Sequence, residues 1–365
     1  MQGSVFKRGN TYSVIIDQGR DPNGKRKQQW HSGYRTKREA EHACTELLHG
    51  LQTGTYVAPS KTTVGEFLLR WLDYQKSLVA PKTFVRYQEV VTKRLIPDLG
   101  SVPLSKLKPG HILQARGAWT NQRQANGKPL SQQTLLHYHR VLHGALDRAL
   151  KWQEISINPA AAVDPPRVQR SQIVPLDVEQ SKALLAVTAS DEDYGPVVAL
   201  ALLTGMRLGE VTGLQWQDVD WERNTIAVRR SVQKVKGYGL LVKEPKTRRS
   251  ARTVTLWDQA MAVLRRQRTR TTTFIFSSPE GNPLDQQAVR RHFWKLLQVA
   301  GLPHVRFHDL RHTHASLLLA QDVHPKVVSE RLGHSNIAIT LDTYSHVLPN
   351  VQQVAAQKLD SLLSA

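Results

Sequence analysis

Four short stretches in the second half of the chain collect side chains able to do chemistry. They are LLTGMRLGEV at 202–211, EPKTRRS at 244–250, FHDLRHTHA at 307–315 and LGHSNIAITLDTYSHV at 332–347. Among them are arginines that could clamp an anion in bidentate fashion, a lysine and histidines able to move protons, and a tyrosine able to act as a nucleophile. Each also has an ordinary structural role open to it. Arg207 can be a helix-end charge, Lys246 a solvated turn lysine, His308 and Arg311 a surface pair one helical turn apart, and Tyr344 a core aromatic with its hydroxyl bonded. One stretch also admits a metal: His308 and His312 stand at the i, i+4 spacing of the zinc motif H-E-x-x-H, with Glu330 downstream as a third ligand. Against zinc hydrolysis, Asp309 replaces the glutamate that would serve as base, and Arg311 sets a permanent cation beside the metal.

The elements that must position these residues follow from composition and pattern. A chain of 365 residues is long for one domain and predicts two or three. Its net charge of +20 favours a polyanionic partner, above all nucleic acid, and disfavours an acidic substrate site. The single cysteine, Cys44, excludes an intramolecular disulfide framework and any Cys-rich zinc site. The longest purely apolar run, 197–203, is far too short to span a bilayer, and the first residues have no apolar signal core, so a soluble, cytoplasmic protein is expected.

Residues 3–33 read as a hairpin or short meander around the turn-forming Asp21-Pro22-Asn23-Gly24, with a helix over about 36–52. Next comes an all-helical segment of four or five helices: one capped by Thr63, others over about 81–94, 111–121 and 131–153, with breaks at Pro97, Gly100, Pro103, Pro109 and Gly110. A proline-punctuated linker brings the boundary near residue 170. Beyond it, a helix capped by Asp177, a buried helix over about 196–206 and two or three strands precede a run of helices from Asp258. The fold class expected is multidomain α+β: a small N-terminal three-stranded sheet plus helix (1–58), an all-α segment (61–165), and a mainly α segment with a small antiparallel sheet (172–365). Half of the charge surplus, +10, lies in 61–170, against +4 in 1–60 and +6 in 171–365.

Taken together and in order, the four stretches resemble the tyrosine recombinase or phage integrase family. The family's two arginines, intervening lysine, histidine of H-x-x-R, following histidine and tyrosine nucleophile map onto Arg207, Lys246, His308, Arg311, His334 and Tyr344, with Glu210 at the position of an acidic residue that supports the site. The resemblance extends upstream. IPDLGSVPLSKLKPGHI and LSQQTLLHYHRVLHGALDRALKW, ending at NPA, are similar to the family's SAM-like core-binding domain, and the first 60 residues are similar in pattern to the arm-binding domain that many integrases carry.

The resemblance implies transesterification. Tyr344 attacks a phosphodiester, with its pKa near 10 brought within reach by the surrounding cations, and leaves a covalent 3′-phosphotyrosine and a free 5′ hydroxyl without ATP, metal or other cofactor. Arg207 and Arg311 stabilise the charge developing on the phosphate oxygens, and His334 donates a further hydrogen bond. Lys246 protonates the leaving oxygen, with Lys243 a nearby alternative, and His308 accepts the tyrosine proton or positions the phosphate. Arg86, Lys93, Arg94, Lys106, Lys108, Arg140 and Arg148 become candidates for phosphate contacts on core-type sites, and Arg20, Lys25, Arg26, Lys27 and Arg35 for arm-type sites. The partners implied are double-stranded DNA, further copies of the chain in a tetrameric synapse, and a directionality factor or host DNA-bending protein. The C-terminal apolar face, Val351, Val354, Ala355, Leu359, Leu362 and Leu363, would dock within its own domain or on a neighbouring protomer. A chromosome-dimer-resolving recombinase, a non-catalytic DNA-binding regulator and a zinc hydrolase using His308 and His312 are the competing readings.

Overall fold

A computed structural model describes residues 2–20, 24, 26–52, 60–124, 127–169, 174–243, 252–268, 272–344 and 351–364. The chain divides into two compact units, Met1–Gln169 and Arg170–Ala365.

The first unit opens with β1 (Gln2–Arg8), β2 (Thr11–Arg20) and β3 (Arg26–Tyr34), an antiparallel sheet in the order β1-β2-β3. Arg8 pairs with Thr11 across a two-residue turn, where Gly9 takes a φ of +60° that glycine tolerates without strain. Strand alternation turns Val14 and Ile16 toward Ala40 and Cys44 of α1 (Lys37–Gln52). The helix can lie this close because residue 3 is glycine, where a Cβ would run into Cys44 Sγ.

In the helical part, α2 (Val64–Lys76) starts in a capping box between Thr63 and Glu66 and buries Phe67, Leu68, Trp71 and Leu72. Next is α3 (Pro81–Val90). Pro97 has no N–H and its ring crowds the carbonyl one turn back, so the sequence predicts a break before it. The helical path instead runs on to Leu99: the turn Val91–Leu95 widens into a π-turn, with Ile96 N–H bonded to the Val91 carbonyl, and α4 (Ile96–Leu99) carries the proline in its first turn. The apolar stripe of α6 (Gln132–Lys151) then packs on α2 and on α5 (Pro109–Asn121), with Trp119 and Tyr138 edge to face at 5.6 Å. Asn158 of the N-P-A turn fastens the end of α6 through Nδ2 to the His143 carbonyl (3.2 Å) and Asp147 Oδ1 (2.6 Å).

The second unit is built around α8 (Gly195–Thr204), in which every residue is buried. Before it lies α7 (Val178–Ala189), capped by Asp177, and after it the single turn α9 (Leu208–Val211). Strands β4 (Val219–Asp220), β5 (Thr225–Val228) and β8 (Arg252–Thr255) form one antiparallel sheet, while β6 (Ser231–Val235) and β7 (Gly239–Lys243) form a separate hairpin. Six helices complete the unit: α10 (Asp258–Gln267), α11 (Gln286–Val299), α12 (Asp309–Ala320), α13 (Pro325–Leu332), α14 (Ile337–Tyr344) and α15 (Val351–Leu363). Leu359, Leu362 and Leu363 of α15 are exposed. The expected sheet-plus-helix, all-helical and mainly helical parts are all present. Among the described residues no helix is long and apolar enough to cross a membrane.

Candidate active site

The site grows from two helix ends that require glycine. Helix α8 stops at Gly205, whose φ is +66° and where a Cβ would lie 2.7 Å from both His314 Cδ2 and Leu332 Cδ2. The chain then turns sharply, and Arg207 becomes the N-cap of α9. Helix α13 ends in the same way at Gly333 (φ +67°), with the His334 N–H closing back onto the Ser329 carbonyl, so the L-G-H run is a helix stop that projects His334.

Three arginines from distant parts of the chain meet the last carbonyls of α13. Arg252 Nε donates to the Arg331 carbonyl (2.6 Å), Arg311 Nη2 to the Leu332 carbonyl (2.7 Å) and Arg207 Nη2 to the Gly333 carbonyl (3.5 Å). These carbonyls are the negative end of the helix dipole, which favours cations there. Arg311 Nη1 also donates to the Gly205 carbonyl (2.9 Å), so its guanidinium bridges both glycine stops.

Glu210 joins the cluster. Its carboxylate accepts from Arg207 N (2.9 Å) and Nη1 (2.8 Å), and from Arg252 Nη2 (2.9 Å) and Nη1 (3.3 Å). Burial by itself would push the Glu210 carboxyl up, but the hydrogen bonds and charge of Arg252, then the charge of Arg207, outweigh it and hold the group at about 2. Among the described residues no carboxylate forms an ion pair with Arg311, and Glu210 acts on it only as a nearby charge. Burial, then the Arg207 charge, pulls its guanidinium down to about 9, which leaves it a cation at neutral pH. Two half-compensated guanidiniums beside each other are a place an anion would relieve.

Two histidines of the site are pushed toward the neutral form. His308 caps the start of α12, and burial, followed by the charges of Arg311 and Arg207, pushes it below its ordinary value. Burial and the same two arginines push His334 down to about 3. His334 Nδ1 lies 2.8 Å from Thr340 Oγ1, and a neutral ring accepting that hydroxyl carries its proton on Nε2. Thr340 thus tethers the His334 ring through Nδ1 and leaves Nε2 as the free edge. If the activity is the strand cleavage that the sequence resemblance implies, Thr340→Val should slow it by about 10-fold with DNA affinity unchanged, measured by single-turnover cleavage and filter binding, the loss seen when partners of metal-bound histidines are removed.

Tyr344 ends α14 only 2% exposed, with its hydroxyl 2.7 Å from His312 Nδ1. Counting cations predicts a lowered tyrosine pKa; the structure gives the opposite. Burial outweighs Arg311 and pushes the phenol up to about 12. Lys246 lies outside the described residues. The zinc geometry is not assembled: His312 faces Tyr344, Glu330 pairs with Lys326 at 3.2 Å on the surface, and among the described residues no three His, Cys, Asp or Glu side chains are grouped to hold a metal.

Sequence reasoning missed Arg252, Thr340 and the place of His312 beside the tyrosine. Of the DNA-contact candidates, Lys93, Lys106, Lys108, Arg140 and Arg35 are exposed. Arg86 pairs with Glu89 (3.8 Å), Arg94 bonds Gln122, and Arg148 stacks on Tyr74 (4.9 Å). Lys25 is outside the described residues, and Arg20, Arg26 and Lys27 are described only as backbone in β2 and β3.

Similarity to known proteins extends along most of the chain. The sequence profile of the phage integrase family matches residues 175–350, that of an arm DNA-binding domain residues 4–51, and that of the phage integrase N-terminal SAM-like domain residues 63–119. A tyrosine recombinase XerC-like protein of Caldanaerobacter subterraneus is 29% identical, over 96% of this chain and 96% of its own length. An integrase of Streptomyces ambofaciens is 28% identical over 94% of this chain and 91% of its own. In fold, the chain is similar to the Tn1549 transposon integrase in complex with a circular intermediate DNA, with a TM-score of 0.69 at 22% identity over 82% of this chain and 99% of that one. It is similar too to a lambda integrase tetramer bound to a Holliday junction, with a TM-score of 0.57 at 19% identity over 91% and 95% of the two chains. Residues 175–350 thus carry the phage integrase domain, behind a SAM-like domain and an arm DNA-binding domain, and the chain is a tyrosine-type site-specific recombinase.

Proposed function

We propose that this chain is the site-specific integrase of a phage or other integrating element, and that Tyr344 is its nucleophile. The observation that carries this reading is the meeting of Arg207, Arg311 and the L-G-H turn bearing His334 at the two glycine helix stops, with Arg311 on α12, the helix whose His312 meets the Tyr344 hydroxyl. The two guanidiniums and His334 Nε2 would hold the scissile phosphate. Tyr344 Oη forms a bond to phosphorus as the P–O5′ bond breaks, the phenolic proton passes to a neighbouring base, and Lys246 gives a proton to the departing 5′ oxygen. The 3′-phosphotyrosine keeps the energy of the broken bond, so resealing calls for neither ATP nor a cofactor.

The division of labour proposed is an arm-site domain at 1–58, a helical clamp at 61–165 and the catalytic domain at 172–365, working as a tetramer on synapsed DNA in the cytoplasm. A directionality factor or DNA-bending protein would bias the outcome, and the exposed leucines of α15 suit docking on a neighbouring protomer. The arm-type domain favours an integrase over a chromosome-dimer-resolving recombinase. A purely regulatory DNA binder would have no need of the buried arginine cluster. Exposed Lys106 and Lys108 belong to the clamp, so neutralising both should weaken DNA binding and lower the slope of log affinity against log salt by about 2, read from titrations at several salt concentrations.

The test of the reading is incubation with nicked DNA of the attachment site, recovered from the sequence flanking the gene, in the presence of EDTA, followed by a denaturing gel. A covalent adduct is expected from the wild type and none from Tyr344→Phe. An adduct that survives in Tyr344→Phe overturns the nucleophile assignment, and one that EDTA abolishes favours the metal reading.

A further inference from the structure

The sequence offers His308 as acceptor of the tyrosine proton, yet the hydroxyl makes its hydrogen bond elsewhere. Tyr344 Oη lies 2.7 Å from Nδ1 of His312, whose ring stands 5.6 Å from the tyrosine ring at 53°. His308 sits behind it, ring to ring with His312 at 5.2 Å and nearly perpendicular. The order in space is therefore His308, His312, Tyr344. From this geometry we propose that His312 is a catalytic residue of the reaction proposed above, taking the Tyr344 proton as the phenol attacks phosphorus and returning it when the phosphotyrosine is resealed.

The proposal rests on the recombinase reading and sharpens one step of it. In cleavage the Tyr344 Oη–H bond breaks as the Oη–P bond forms, and the proton ends on His312 Nδ1, giving an imidazolium with Nε2 already protonated. The electron pair of the P–O5′ bond leaves with the 5′ oxygen, which takes its proton from the general acid. In resealing the 5′ hydroxyl returns its proton to the deprotonated general acid as its oxygen bonds to phosphorus, the Oη–P bond breaks, and His312 hands its proton back to Tyr344. Atoms and charge balance in both directions with no outside reactant.

Three features suit His312 to this part. It follows Arg311 directly on α12, so the residue that holds the phosphate and the residue that takes the proton are fixed by one rigid element. Burial, followed by the neighbouring His308, pushes it down to about 4, so at neutral pH the ring is uncharged, and in the tautomer protonated at Nε2 its Nδ1 accepts the Tyr344 hydroxyl. The Asp309 carboxylate, bound by Arg306 at 2.8 Å and felt by His312 as a favourable charge, supports the imidazolium while it exists. The buried phenol, with its raised pKa, is a poor nucleophile unless its proton leaves in the same step, and it touches the acceptor that could take it.

The experiment uses the full-length protein and two reactions. The first is adduct formation on nicked attachment-site DNA, which needs the tyrosine to lose its proton. The second is ligation by Tyr344→Phe protein of a half-site ending in a 3′-p-nitrophenyl phosphate to a 5′-hydroxyl strand. There the leaving p-nitrophenolate needs no proton and the tyrosine is bypassed. His312→Ala and His312→Gln are each expected to slow adduct formation by about 100-fold or more, the usual range for loss of a positioned base, while adding His312→Ala to Tyr344→Phe changes the p-nitrophenyl reaction by no more than about threefold. A parallel loss in both reactions would assign His312 to holding the phosphate pocket or the fold, and overturn the proposal. So would wild-type rates in His312→Gln, whose amide can accept a hydrogen bond but not a proton. Adduct formation by the wild type on the same gel separates failure of this step from failure of the recombinase reading.

Discussion

Replacing Arg311 by alanine should slow covalent-adduct formation by about 10³-fold while changing affinity for duplex DNA by no more than about threefold. The side chain is buried, only 3% exposed, and both of its terminal nitrogens are held on the Gly205 and Leu332 carbonyls. A group so placed can serve one phosphate and contributes little to the general grip on DNA, which the proposal gives to the exposed cations of residues 61–165. Arg311→Lys should fare almost as badly. One ammonium cannot span both carbonyls and still face the phosphate in a bidentate geometry. Single-turnover cleavage alongside equilibrium binding decides the matter. Affinity and rate falling in the same proportion would make Arg311 an ordinary DNA contact.

Glu210→Ala should be the most destabilising single change at the site, costing about 3–5 kcal/mol, because it strands buried Arg252 without its carboxylate. Arg252 is 6% exposed and Glu210 7%, so little water can compensate. Loss should appear as a lowered midpoint for the unfolding transition of the catalytic unit in calorimetry of the full chain. The pH dependence has a definite sign. Glu210 sits at about 2 in the folded chain and near 4.5 when unfolded, so its ionisation stabilises the fold fully above pH 4.5. That contribution, about 3 kcal/mol, drains away as pH falls from 4.5 toward 2. The gap in stability between wild type and Glu210→Gln should therefore narrow over that window. A constant gap would mean that the carboxylate's charge is not what holds Arg252 and Arg207 together.

The residues proposed to react were more legible in the sequence than the groups that hold them. Arg207, His308, Arg311, His334 and Tyr344 stand in recognisable runs because their spacing is local: Gly205 and Gly333 stop helices, and the residues just beyond are aimed by those stops. Arg252 could not be read that way. In the run TRRSART it is one more cation, and only the folded chain puts its guanidinium between Glu210 and the end of α13. Thr340 looks like filler in a short helix until His334 is seen against it. The same limit explains two reversals. Pro97 reads as a break because proline chemistry is local, whereas the π-turn that accommodates it is set by packing of α3 and α4. Tyr344 reads as a phenol activated by cations, whereas its burial, a property of the whole unit, wins.

In the proposed reaction Tyr344 becomes bonded to the 3′ phosphate of a cleaved strand. The direct measurement is to trap the adduct on attachment-site DNA, digest it with nuclease and protease, and sequence the nucleotide-bearing peptide by mass spectrometry. One modified peptide is expected, with the nucleotide joined through its 3′ phosphate to the Tyr344 oxygen. A nucleotide on any other residue, or one joined through a 5′ phosphate, would contradict it.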